Sequence, residues 1–185
     1  MKRNLRWIAG MAIAASCMFV VPSSLLAQST QKVDPAKVLD KMLSGYEHDL
    51  LPLVEAMPAD KYNFAPTNGE FKGVRTFGEQ VKHIAQANYY YFGSVSSTKP
   101  NMPKMADLKT KDQMIQELKD SFAYGHQVIA TITAENAFDA VGTGDSTRTR
   151  AGMAAGAVAH GYDHYGQLVE YLRMNGIIPP ASRHK

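Results

Sequence analysis

An all-α four-helix bundle is the architecture this sequence predicts. Apolar residues recur with the 3.6-residue period of a helix in four places. Each of those stretches is about 20 residues long, the length that bundle helices use. No run alternates apolar and polar residues far enough to make a strand.

The first helix opens at Asp34-Pro35, a capping side chain followed by the proline favoured at the first helical position. It carries Val38, Met42, Leu43, Tyr46, Leu50, Leu53 and Val54 to about Ala56, and Pro58 stops it. Pro52 should bend it, because proline lacks the N–H that would bond the carbonyl of His48 and its ring crowds that carbonyl. The second helix begins near Thr76, with Glu79 at the spacing of a capping box, and runs through Phe77, Val81, Ile84, Asn88 and Tyr91 to about Val95. The third starts at Thr110, with Gln113 as box partner, and reaches about Ile132. The fourth runs from about Thr147 to Asn175, where Gly176 supplies a left-handed stop and Pro179-Pro180 prevent continuation. All three connections can return along a ~30 Å helix at about 3.3 Å per residue. Loop length therefore leaves an up-down-up-down order and a crossover order both open.

The N-terminus has a different character. Lys2, Arg3 and Arg6 precede the apolar stretch Trp7 to Val21, and a small-residue exit ends at Ala27. Residues 1–27 are expected to be a cleavable signal peptide and residues 28–185 one folded domain, exported to a periplasm or the cell exterior. The apolar stretch is shorter than the ~20 residues of a spanning helix, and Pro22 with Ser23-Ser24 argues against a retained membrane anchor. Lipoprotein processing at Cys17 is an alternative with a poor pattern, since Ala14 stands where leucine is usual. Cleavage would remove the single cysteine, and with it any thiol nucleophile, disulfide or cysteine ligand. It would also leave 17 basic against 17 acidic residues, a near-neutral domain with no charge asking for nucleic acid or an acidic membrane.

Chemistry concentrates in His160-Gly161-Tyr162-Asp163-His164. Imidazoles four residues apart on a helix project from one face, with Cβ atoms roughly 5–6 Å apart. That suits two ligands on one divalent ion at about 2.0–2.1 Å each. His83, in the second helix, is the leading candidate for a third ligand. The alternative is three histidines with ordinary hydrogen bonds. A metalloprotease helix would need glutamate after the first histidine, and position 161 is glycine. Asp163 points about 100° away from His164, which suits a surface or supporting role. Gly152 and Gly156 continue the ridge of His160 and His164, either leaving room beside an ion or allowing close helix packing. Tyr90 and Tyr171 each lie seven residues past a histidine and, with Gly156, are the candidates to line a pocket, the alternative for both tyrosines being aromatic filling of the core. His48, His126 and His184 have no partner at helical spacing.

Three strings carry a family resemblance. They are Pro58-Ala59-Asp60-Lys61-Tyr62-Asn63-Phe64-Ala65-Pro66-Thr67, then Thr76-Phe77-Gly78-Glu79-Gln80-Val81-Lys82-His83-Ile84-Ala85, then His160 through Pro180. Together they resemble the DinB-like (YfiT-related) superfamily over nearly the whole expected domain. The resemblance implies a crossover between helices two and three, and a divalent metal held at His83, His160 and His164. Relatives with a reaction resemble thiol-dependent S-transferases and a maleylpyruvate isomerase, which use low-molecular-weight thiols in the cytoplasm, whereas this chain is expected outside it. The function to expect is a metal-dependent enzyme, transferase-like or hydrolase-like, acting on a small molecule or a thiol. The alternative is a non-catalytic protein that binds a metal or small ligand. Imidazole ligands suit zinc, nickel or iron(II). A homodimer through an exposed apolar face is compatible with the sequence.

Overall fold

The computed structural model describes residues 32–66, 73–142 and 148–183. The signal-peptide reading of residues 1–27 lies outside them, as does His184. Four helices form the domain: α1 (Pro35–Ala56), α2 (Phe77–Gly93), α3 (Lys111–Ile129) and α4 (Arg150–Met174). No helix among the described residues is long and apolar enough to cross a membrane.

The helix starts follow from their caps. Asp34 accepts the Ala36 N–H at 3.0 Å, and Pro35 occupies the first turn of α1. Thr76 with Glu79, and Thr110 with Gln113, close complete capping boxes on α2 and α3. The fourth helix starts at Arg150, three residues later than expected, because Thr149 is its cap and accepts the Gly152 N–H at 3.1 Å. Gly176, at φ 71°, supplies the left-handed stop. α1 is continuous through Pro52, and His48, whose carbonyl the proline leaves without its helical donor, is exposed to solvent.

Contacts along the helices define their directions. Asn88 Nδ2 of α2 donates to Ser121 Oγ of α3 at 3.0 Å, and Gly125 lies under the Phe92 ring near both C-termini. At the other end, a Cβ on Gly78 would stand 3.1 Å from Met114 Sδ. These two helices are parallel neighbours, so residues 94–110 form the expected crossover. α1 runs against α3: Lys111 Nζ reaches the Glu55 and Met57 carbonyls at 2.7 and 2.8 Å, while His126 meets Asp40 at the opposite end. α4 runs against α2, joined by Gln80–Gln167 at one end and by Arg150 on the Val95 carbonyl at the other. The order is up-down-down-up, with α1/α2 and α3/α4 across the diagonals.

The core is filled from all four helices, and α1 contributes Leu39, Leu43, Tyr46, Leu50, Leu53 and Val54. Val38 and Met42, expected on its inner face, are 47% and 41% exposed. The buried stripe repeats in steps of four and three from Leu39, which turns its neighbour Val38 and then Met42 to the edge. Between α1 and α4 the backbones approach closely at Gly161, where a Cβ would collide with the buried Tyr46 ring. Overpacking of this kind costs about 1–3 kcal/mol. Gly161→Ala should therefore destabilise the fold in urea unfolding, despite the ~1 kcal/mol that alanine gains over glycine in a helix.

One polar clamp crosses from α1 to α3. His126 Nδ1 stands 2.6 Å from Asp40 Oδ1, and its Nε2 3.1 Å from Glu47 Oε2. Burial opposes the imidazolium, but both carboxylate hydrogen bonds and their charges outweigh it and raise the pKa above the ordinary value. A raised folded-state pKa gives stability that is complete below about pH 6.5 and fades as pH rises through the folded value. The stability gap between the native protein and His126→Gln should thus be widest near pH 6 and shrink by about pH 9 in urea titrations. A gap that widens with pH would show that no such clamp exists.

Candidate metal centre

α2 presents His83 and α4 presents His160 and His164 to a shared face, and antiparallel packing brings the three rings together. His83 Nε2 and His164 Nε2 lie 3.3 and 3.2 Å from His160 Nε2. One nitrogen from each ring lies within 4.8 Å of the other two. For an ion bound at 2.0–2.1 Å in tetrahedral geometry, ligand nitrogens sit about 3.3–3.4 Å apart. The two separations match that edge, so three histidines are positioned to hold a metal ion.

The hydrogen bonds around His164 set its tautomer. Gln167 Nε2 donates to Asp163 Oδ2 at 3.1 Å, which leaves its Oε1 as an acceptor. That oxygen receives Gln80 Nε2 at 2.6 Å and faces His164 Nδ1 at 3.3 Å. The His164 proton therefore belongs on Nδ1, and the Nε2 lone pair points at the other two rings. A single neutral His160 Nε2 cannot satisfy both neighbours as donor and acceptor at once. A shared cation resolves that conflict.

Burial favours the neutral form of all three rings. His83 is pushed down to about 4 by burial first, then by Arg75, His164 and His160. His160 is lowered by burial and by Arg75 against the opposing Asp163, and His164 by burial, His160 and Arg75 against Gln167 and Asp163. Neutral imidazole is the form that ligates. His164 is 6% exposed, whereas His83 and His160 are half-buried, so the cluster has a protein-backed side and a solvent side.

The other expected site residues are distributed differently. Tyr90 is 58% exposed and accepts Arg148 NH2 at 2.9 Å, away from the imidazoles. Its neighbour Tyr91 is the aromatic at the site, with its ring 5.7 Å from that of His160. Gly156 lies beneath Tyr91, where a Cβ would stand 3.1 Å from the ring, so the space it leaves is filled by an aromatic. Tyr171 is buried edge-on to Phe64 and donates its hydroxyl to the Arg75 carbonyl at 3.0 Å. Helical spacing within one element could have flagged Gln167, three past His164, and Gln80, three before His83. Arg75 precedes its helix, and periodicity carries no signal for it. An apolar groove of about 600 Å³ runs past Val38, Met42 and Tyr162 and includes none of the three histidines.

The family model described as the DinB superfamily matches residues 42–168. The chain belongs to the DinB superfamily. A crystal structure of a protein assigned to the DinB family from Exiguobacterium sibiricum 255-15 superposes with a TM-score of 0.56 at 20% identity, covering 78% of this chain and 93% of that one. At that identity the likeness speaks for the fold. No curated protein matches the chain. The matched span of this DinB protein contains all three histidines and both glutamines.

In the metal-free DinB protein, His83 should titrate near 4 in an NMR pH series. Depressed folded-state values also mean that stability falls as pH drops from about 6.5 towards that value, because the unfolded chain binds protons first. Ordinary titration of His83 would contradict the packed, desolvated cluster.

Proposed function

We propose that this is an exported metal-dependent enzyme acting on a small molecule at an ion held by His83, His160 and His164. The observation that carries it is the convergence of three imidazole nitrogens within 4.8 Å, two of them 3.2 and 3.3 Å from His160 Nε2, with the His164 lone pair directed inward by Gln167. Zinc, nickel or iron(II) suits this donor set, and when bound it would lower the pKa of a water or thiol, or polarise a substrate oxygen. The chain's residues supply the rest. Three neutral ligands leave coordination positions free, as catalytic rather than closed structural sites do. The half-buried His83 and His160 leave the approach from solvent, and Tyr91 walls one side. Transferase-like chemistry on a thiol and hydrolase-like chemistry share these requirements. Export is supported by the leader composition of residues 1–27.

A second reading, a non-catalytic protein that captures a metal or small ligand, is favoured by one observation. Asp163, the carboxylate nearest in sequence to the histidines, is exposed and occupied by Gln167. Turnover of small electrophiles with thiols, or of ester and amide substrates, separates the two.

His160→Ala should abolish metal uptake in elemental analysis while far-UV circular dichroism stays helical. Stoichiometric metal in that variant would rule the centre out. Gln167→Leu should weaken metal binding by about 10–100-fold in chelator competition, the usual effect of removing a partner that orients a ligating histidine.

A further inference from the structure

A polar groove of about 460 Å³ opens beside His83. One wall is the face of α2 that carries Glu79, Lys82, His83 and Gln86, residues at i, i+3, i+4 and i+7 of a single helix. The other side is made by Arg75 and by Met105 from the crossover. Its cations are not consumed by the fold. Among the described residues, neither the Arg75 guanidinium nor the Lys82 ammonium has a carboxylate partner within ion-pair distance. The one acid among the described residues of the groove, Glu79, is committed elsewhere, since its Oε2 accepts the Thr76 N–H at 2.8 Å to cap α2. Arg75 is also anchored at its backbone, where its carbonyl takes the Tyr171 hydroxyl from α4. The helix that carries His160 and His164 thus fixes where the guanidinium begins.

We propose that this groove is an anion subsite of the metal centre, and that the substrate is a small molecule bearing a carboxylate that Arg75 and Lys82 receive while its reacting end meets the histidines. The proposal rests on the metal-centre reading above. A carboxylate is preferred to a phosphate because two cations beside one ionised Glu79 leave a net charge of +1, suited to a monoanion. The Arg75 fork can pair both carboxylate oxygens, and Lys82 adds a point charge from the helix.

The test uses the full protein loaded with cobalt(II), whose visible spectrum reports ligands entering the coordination sphere without any need for turnover. Hydroxamates supply one metal-binding head with variable tails. Succinic or glutaric monohydroxamate should bind about tenfold more tightly than propanohydroxamate, and the advantage should shrink as salt screens it. In Arg75→Gln and in Lys82→Gln, both checked for helicity, that ratio should fall towards one. Equal affinity of the charged and uncharged tails in the native protein, or an undiminished ratio in both variants, overturns the subsite while the cobalt spectrum leaves the metal centre standing. Tighter binding of the phosphonate-tailed counterpart overturns the choice of carboxylate. Absence of any cobalt spectrum in the native protein overturns the centre and the subsite together.

Discussion

Because α2 lies antiparallel against α4, a histidine on one helix faces the gap between two histidines on the other. Everything at the site follows from that contact. The i, i+4 spacing of His160 and His164 places two rings on one ridge but cannot by itself supply a third nitrogen. The register between helices supplies it, and Gln80 to Gln167 at one end with Arg150 to the Val95 carbonyl at the other holds that register. A slip of one turn would move His83 by about 5.4 Å, more than the whole spread of the nitrogens.

Desolvation and coordination act in the same direction here. The protein environment disfavours imidazolium at all three positions. An ion meeting the cluster near neutral pH therefore displaces few protons, and proton competition is deferred to acid. His126 lives under the opposite rule. It is also half-buried, yet two carboxylates of α1 favour its charged form. The same side chain is pushed towards its neutral form in one interface and towards its charged form in the other because of what faces it, not because of how deeply it lies.

Helix number, caps and stops were legible in the chain because they are local. Asp34, Thr76 and Thr110 act within one turn of themselves, and Gly176 needs only its own backbone angle. The ligand histidines were legible for a mixed reason: spacing identified two, and His83 stood as a candidate that the likeness to a known family then supported. What stayed hidden depends on a second helix. His126 has no partner along α3, and both its carboxylates come from α1. The side of Gly156 could be judged only once Tyr91 was placed over it, and the inner edge of α1 could not be told from its flank while Val38 and Met42 fitted the period as well as Leu39. Loop length was silent on the crossover, since every connection was long enough for either topology, and the likeness to a known family supplied it.

That crossover has a kinetic side. His83 and His160 are 77 residues apart, and the chain between them includes the long return segment and all of α3. Contacts between elements so far apart in the chain form late, because loop closure must precede the contacts that reward it. The two halves of the histidine cluster consequently meet near the end of folding, and a cation bridging them would act on the finished molecule as a latch, slowing the separation of α2 from α4 more than it hastens their first encounter.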